Sequence, residues 1–114
     1  MADPQHLPAV VMALPAEIAM STVGQVGQQL GSVIASGVKA VIADMTATRF
    51  CDSSGIAMLV QAHRQAVANG TGLRLVVRST AMLRALALVR LDDLLPVYPS
   101  LGQALAMAPQ PHHD

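Results

Sequence analysis

Aromatic side chains are almost missing from this chain: one phenylalanine, one tyrosine and no tryptophan in 114 residues. With 53% of the residues apolar, the core has to be built from alanine, valine, leucine, isoleucine and methionine, leaving Phe50 and Tyr98 as the aromatic exceptions. Charge is scarce as well. Charged residues make up 12% of the chain, roughly half the usual share, yet the apolar content is ample to offset the ordering entropy of a folded domain. Seven basic and seven acidic side chains cancel. The basic excess that accompanies duplex DNA or RNA binding is absent, and no nucleic-acid partner is expected. The single cysteine, Cys51, excludes an intramolecular disulfide and reads as a small buried hydrophobe at a strand end. Glu17, Lys39 and Arg84 interrupt the longest apolar stretches well short of a membrane span. Asp3 and Pro4 stand where a signal peptide would carry positive charge. Membrane insertion is therefore not expected, and a cytoplasmic location is.

The apolar residues that are present fall into two alternating patterns. Leu7 to Leu14 contains a continuous apolar run stopped by Pro15, which predicts a strand. Ser21 or Thr22 then caps a helix whose Val23, Val26, Leu30, Val33 and Ile34 recur at spacings of three and four, ended by Gly37. Val38 to Met45 is β-branched and nearly all apolar, as in a strand buried on both faces. Ile56, Leu59, Val60, His63 and Val67 mark the inner stripe of a second helix closed at Asn69-Gly70. Leu73 to Arg78 predicts a third strand. Ser79 or Thr80 caps a third helix with Leu83, Leu86 and Ala87 inward. Leu94 to Tyr98 is a short strand placed at an edge by Pro96, and Pro99-Ser100 opens a last helix with Leu101, Ala104 and Leu105 inward. Strand and helix thus alternate four times, which implies an α/β fold with a mostly parallel four-stranded sheet and right-handed crossovers. A single domain over residues 7–108 is expected, followed by a flexible tail at 109–114.

Charge is unevenly spread. Between Arg49 and Arg90 lie six arginines (Arg49, Arg64, Arg74, Arg78, Arg84 and Arg90) against one acid, Asp52. These read either as solvated side chains scattered over several elements or as a mildly positive face that meets an acidic partner.

The group that distinguishes this chain from other small α/β domains is Asp52-Ser53-Ser54-Gly55, where a loop hands over to the second helix. Unpaired backbone N–H groups and the positive end of the helix dipole converge at such a start, which suits a serine oxygen or a phosphate. Gly55 is expected to leave the backbone uncovered for a partner to approach. The plainer reading is that one of these residues is simply the N-cap, worth about 1 kcal/mol. The two roles are compatible.

Ala40-Val41-Ile42-Ala43-Asp44-Met45 followed by Phe50-Cys51-Asp52-Ser53-Ser54-Gly55-Ile56 resembles the signature of the STAS family, in particular its bacterial anti-sigma factor antagonists. Ser79-Thr80 through Leu83-Arg84, Leu91 through Tyr98, Ser100-Leu101 and Ala104-Leu105 are similar to the family's C-terminal third. The resemblance spans roughly Val10 to Ala106. It implies a βα superhelix with four helices, a phosphoacceptor at Ser53, and a partner-binding surface formed by Asp52, Ser53, Ser54, Gly55 and Glu17. The implied partner is an anti-sigma factor with a serine kinase fold, sequestered by the unmodified domain so that a sigma factor is freed. That kinase phosphorylates Ser53 with ATP, and a phosphatase acting on Ser53 resets it. The chain departs from the family pattern in three places. Ala19 stands where an aspartate is usual, Arg90 stands where a glycine is usual, and the family's first strand is absent or reduced to a few residues near Asp3 to Leu7. The missing aspartate is also compatible with a STAS scaffold or transporter-accessory subunit that has no phosphorylation cycle.

Catalysis is not expected. A serine nucleophile needs a base within hydrogen-bond reach, and His63 lies nine to ten residues further along the same predicted helix, roughly 15 Å away at 1.5 Å per residue. No Gly-x-Ser-x-Gly elbow, glycine-rich phosphate loop or CxxC is present. His112 and His113 have no third ligand in view, so neither a metal nor a cofactor is expected.

Overall fold

A computed structural model describes residues 9–106. Four strands, β1 (Val10–Ala13), β3 (Ala40–Asp44), β5 (Gly72–Val76) and β6 (Val97–Tyr98), form one sheet in the order β1-β3-β5-β6. Each neighbouring pair is parallel: Val10 faces Val41, Ala40 faces Gly72 and Leu75 faces Val97. Between them run the helices α1 (Val23–Ala35), α2 (Ser53–Asn69) and α3 (Thr80–Leu88), and α4 (Leu101–Ala106) closes the described chain. The expected α/β fold with its mostly parallel four-stranded sheet and four helices is what the molecule adopts. The expected extra strand near Asp3 to Leu7 and the tail at 109–114 lie outside the described residues.

Strand alternation sorts the side chains onto two faces. Val41 and Ala43 of β3 and Leu73 and Leu75 of β5 join Leu30, Ile34, Leu59, Met82 and Leu86 from α1, α2 and α3 in the main core. Ile42 and Val76 point the other way and pack with Ala104, Tyr98 and Leu101. Burying β3 on both faces explains its unbroken apolar sequence. As Pro96 implied, β6 is an edge strand, and the Pro96 carbonyl accepts the Leu75 N–H at 2.9 Å.

A second, two-stranded parallel sheet was not anticipated. It pairs β2 (Glu17–Ile18) with β4 (Phe50–Cys51), Glu17 facing Phe50 and Ile18 facing Cys51. Its neighbourhood is held by the fully buried Thr48, whose hydroxyl donates to the Pro15 carbonyl at 2.8 Å, and by the Asp52 N–H, which donates to the Ile18 carbonyl at 3.0 Å.

Several helix faces differ from expectation. On α2, Leu59, Ala62 and Ala66 are buried, whereas Val67 is exposed. On α3, Met82 and Leu86 are buried, while Leu83 and Ala87 face solvent. Leu105 of α4 is likewise exposed. Small residues line the inward face of α2 because α1 lies close against it. A Cβ on Gly31 would stand in tight contact with Gln65 Oε1, at 3.1 Å, and Gln65 Nε2 donates to the Gly31 carbonyl at 3.0 Å. The strand expected over Leu94 to Tyr98 is confined to Val97–Tyr98, and Leu91–Asp93 ahead of it form one turn of 3-10 helix. It follows Arg90, which sits in the left-handed region at φ 61°.

Of the six arginines read as a candidate positive face, Arg74 does not belong to any face. It is buried, and its Nη1 donates to the Ala104 carbonyl at the end of α4 at 2.7 Å. A guanidinium at a helix C-terminus meets the negative end of the dipole, so this bond clamps a six-residue helix that would be marginal alone. Arg74→Ala is expected to destabilise the domain by about 1.5–3 kcal/mol, the range for a hydrogen bond to a charged group. Urea unfolding should show the loss, and limited proteolysis should show faster cleavage within Leu101–Ala106.

Candidate functional site

Because the sheet is parallel, β1 and β3 both end at the same edge, and the segments that leave them meet there. The chain leaving β1 forms β2 and a turn into α1. The chain leaving β3 forms β4 and enters α2. Ligand and partner sites of open parallel sheets gather at this carboxyl edge. Here it brings Glu17 and Met20 of the first segment beside Phe50, Asp52 and Ser53 of the second.

Asp52 is the N-cap of α2, with the extended backbone that position requires (φ −85°, ψ −174°). Its Oδ1 accepts the Ser54 N–H at 2.9 Å, the Gly55 N–H at 3.2 Å and the Ser54 hydroxyl. Its Oδ2 accepts the Met20 N–H at 3.3 Å, from a residue thirty-two positions earlier. The Ser54 hydroxyl leads in holding the Asp52 carboxyl below its ordinary value of 3.8, the Gly55, Met20 and Ser54 N–H groups add to it, and partial desolvation opposes. The Ser54 and Gly55 N–H groups at this helix start are therefore already occupied, where free groups for an added anion were expected. Thr22 occupies the N-cap position of α1 but makes no such bond. Its hydroxyl accepts the Ala19 N–H at 3.0 Å and lies 3.2 Å from the Glu17 and Ala19 carbonyls, closing the preceding turn.

The two serines are not equivalent. Ser53, the first residue of α2, is exposed, and its hydroxyl has no hydrogen-bond partner among the described residues. Ser54 is half-buried and its hydroxyl is committed to Asp52. Glu17 is exposed on β2. Two apolar side chains that sequence reasoning did not single out also flank the site: Met20, 82% exposed, and Phe50, 52% exposed. The position of Phe50 is unusual, since the chain's one phenylalanine is left partly outside the core. Its signal was present in that rarity, but an isolated aromatic beside Cys51 reads equally well as core.

Gly55 corrects another expectation. It is buried, and a Cβ placed on it would lie 2.3 Å from Cys51 Sγ and 2.9 Å from Ile18 Cγ2. The missing side chain admits the β2–β4 pair of its own domain rather than an outside partner. Cys51 is the wall of that contact. Burial, and then the neighbouring Asp52 charge, push its thiol up to about 11, so it is an inert packing group. His63, the one histidine among the described residues, lies ten positions further along the same continuous α2 as Ser53. Among the described residues no group of three His, Cys, Asp or Glu side chains could hold a metal ion, and no helix is long and apolar enough to cross a membrane.

The start of α2 thus displays an exposed serine hydroxyl, unpartnered among the described residues, and two apolar side chains beside a fully engaged carboxylate. The chain belongs to the STAS domain family, whose model matches residues 1–104. Its fold is similar to that of an anti-sigma factor antagonist from Mycobacterium paratuberculosis, with 29% identity, coverage of 92% of this chain and 96% of that chain, and a TM-score of 0.80. It is also similar to the Bacillus cell fate determinant SpoIIAA in the phosphorylated form (22% identity, 91% of each chain, TM-score 0.65). A third similar structure is a sulfate transporter family protein from Wolinella succinogenes (21% identity, 86% of this chain and 82% of that one, TM-score 0.71). No curated protein sequence matches the chain.

Two outcomes follow from this geometry. Gly55→Ala is expected to destabilise the domain by about 1–3 kcal/mol through overpacking, and Cys51→Ala should recover part of that loss, both read from urea midpoints. Asp52 has a folded-state pKa below its unfolded value. Its charge therefore stabilises the fold above 3.8, and the contribution is lost as pH falls through and below that value. Between about pH 6 and about pH 3, the stability gap between the native chain and Asp52→Asn should narrow in denaturant titrations.

Proposed function

We propose that this domain is a cytoplasmic anti-sigma factor antagonist, not an enzyme. In its unmodified state it binds an anti-sigma factor of serine kinase fold and so frees a sigma factor. Phosphorylation at Ser53 switches it off. The observation that carries this reading is the exposed Ser53 hydroxyl at the start of α2, without a hydrogen-bond partner among the described residues, beside a Ser54 hydroxyl that is already bonded. The similar antagonist structures support it. In the phosphoryl transfer, Ser53 Oγ bonds to the γ-phosphorus of ATP as the bridging bond to the β-phosphate breaks. ADP departs, and the hydroxyl proton passes to a base of the kinase. A phosphatase reverses the modification by adding water across the ester, releasing inorganic phosphate.

The docking face in this reading is Glu17, Met20, Phe50, Asp52 and Ser53, with Ser54 and Gly55 shaping it from beneath. Phe50 and Met20 supply the apolar area that anchors an interface, and Glu17 its rim charge. A phosphate adds about −1.5 to −2 charge to a surface that already carries Asp52 and Glu17. A partner fitted to the unmodified face must then desolvate that charge. A hundredfold loss of affinity requires about 2.8 kcal/mol, within the range of one truncated or repelled buried charge contact.

Ala19 leaves the face without one polar group usual in antagonists, and the similar transporter-family structure shows the same fold in another setting. A transporter-accessory role without a phosphorylation cycle is the second reading. Incubation with anti-sigma kinases of the native cell and ATP, followed by mass spectrometry, separates the two. Modification is expected at Ser53, retained in Ser54→Ala and lost in Ser53→Ala. Ser53→Asp should bind the kinase at least about tenfold more weakly than the native chain, a difference of about 1.4 kcal/mol. Equal binding by Ser53→Asp would overturn the switch.

A further inference from the structure

The helices α1, α2 and α3 all feed the main core from one face of the sheet, and they repeat one packing relation. On α1 the inward residues include Val26 and Leu30, and the residues just after them, Gly27 and Gly31, meet α2. From α2 they are met by Met58 and Gln65, each just before an inward residue, Leu59 and Ala66. The parallel strand order β1-β3-β5-β6 sets α3 beyond α2 in the same sense, with Met82 and Leu86 inward. By the same relation α2 turns Ile56, Val60, His63 and Val67 toward α3. In return α3 offers Ala81, Ala85 and, one heptad after Ala81, Leu88.

Only the first of these two junctions is closed. Along its length α2 packs against α1, but it makes little contact with α3. Ile56, Val60, His63 and Ala85 are half-buried, while Val67 is 63% and Leu88 84% exposed. The result is an apolar groove roughly 16 Å long from Ile56 to Val67, at 1.5 Å per residue. Charge around it is of one sign. Arg64 and Arg84 are exposed on the outer faces of α2 and α3, one on each side of the groove, and neither is ion-paired among the described residues. No acidic residue occurs from Ser53 to Leu91. Asp92 and Asp93 come after the end of α3, and Asp93 is paired with Arg90.

An apolar groove between two unopposed cations suits a helix with an apolar stripe and carboxylates beside it. A second copy of this chain has no such helix to offer, because α1, α2, α3 and α4 all lack an acidic residue. We propose that the α2–α3 groove is a second docking surface, which takes an acidic amphipathic helix of another protein. Its apolar stripe seats on Val60, Val67 and Leu88, and its carboxylates meet Arg64 and Arg84. The surface is separate from the Ser53 face, since Val67 lies fourteen positions from Ser53 on α2, roughly 21 Å. It does not rest on modification of Ser53, and a partner held here need not leave when that face is engaged.

Two synthetic helical peptides probe the groove. One carries leucine at every third and fourth position with glutamate on both flanks, and the other replaces each glutamate with lysine. In NMR titrations of the native chain, the glutamate peptide should shift the amides of Val60, His63, Val67, Ala85 and Leu88 and leave Met20 and Ser53 in place. Added salt should weaken the complex. Val67→Asp should weaken it at least about tenfold, and Ser53→Asp should not. Arg64→Glu combined with Arg84→Glu should lose the glutamate peptide and take the lysine peptide instead. All of these positions are exposed, so urea midpoints should match the native chain. Unmoved groove amides, or equal binding of the two peptides by the native chain, overturn the proposal. So does a native dimer that Val67→Asp disperses in analytical ultracentrifugation, which would assign the groove to a second copy. Binding to phosphatidylglycerol vesicles that Val67→Asp abolishes would overturn it in favour of a lipid surface.

Discussion

One carboxylate organises this end of the molecule. Asp52 terminates β4, caps α2, fixes the Ser54 hydroxyl and reaches back to Met20. Each of those bonds fills a donor that would otherwise be left over at a helix start or in a tight turn. The result sorts two adjacent serines into different chemical states, one committed and one available. That selectivity does not come from the serines themselves. It comes from the direction in which the cap points, and the backbone of β4 sets that direction through its pairing with β2.

That pairing in turn depends on an absent side chain. Gly55 lets Ile18 and Cys51 sit closer to the first turn of α2 than any Cβ would permit. Overpacking here would not stay local, because the same two residues supply both the ladder and the wall. Glycine at this position is a packing requirement, and the pairing it permits brings Glu17 and Phe50 together beside the helix start. Arg90 shows the opposite relation. It holds a left-handed backbone, at φ 61°, where the resemblance led one to expect glycine. The strain of roughly 1 kcal/mol that a side chain meets there is accompanied by a bond from its Nε to Asp93 at 3.0 Å.

Much of this was legible from residue order. The alternation of apolar runs and threefold-to-fourfold spacings gave the parallel sheet, Pro96 placed β6 at the edge, and Asp52, Ser79 and Ser100 mark helix starts that their side chains do cap. Other features left no readable trace. A ladder of two residues per strand has no period to detect, so β2–β4 went unseen. The inward stripe of α2 runs through Ala62 and Ala66, because close contact with α1 selects small residues, while hydrophobicity pointed to Val67. Arg74 reads as surface charge unless the end of α4 is known to lie over it. The occupied N–H groups of α2 depend on a rotamer of Asp52, which residue type alone does not specify.

The two-residue ladder has a consequence for the order of folding. Its halves are 33 positions apart in register, with all of α1 and β3 between them, and neither half is long enough to persist unaided. The surface around Ser53 therefore exists only once α1 and β3 have folded and brought β2 and β4 together.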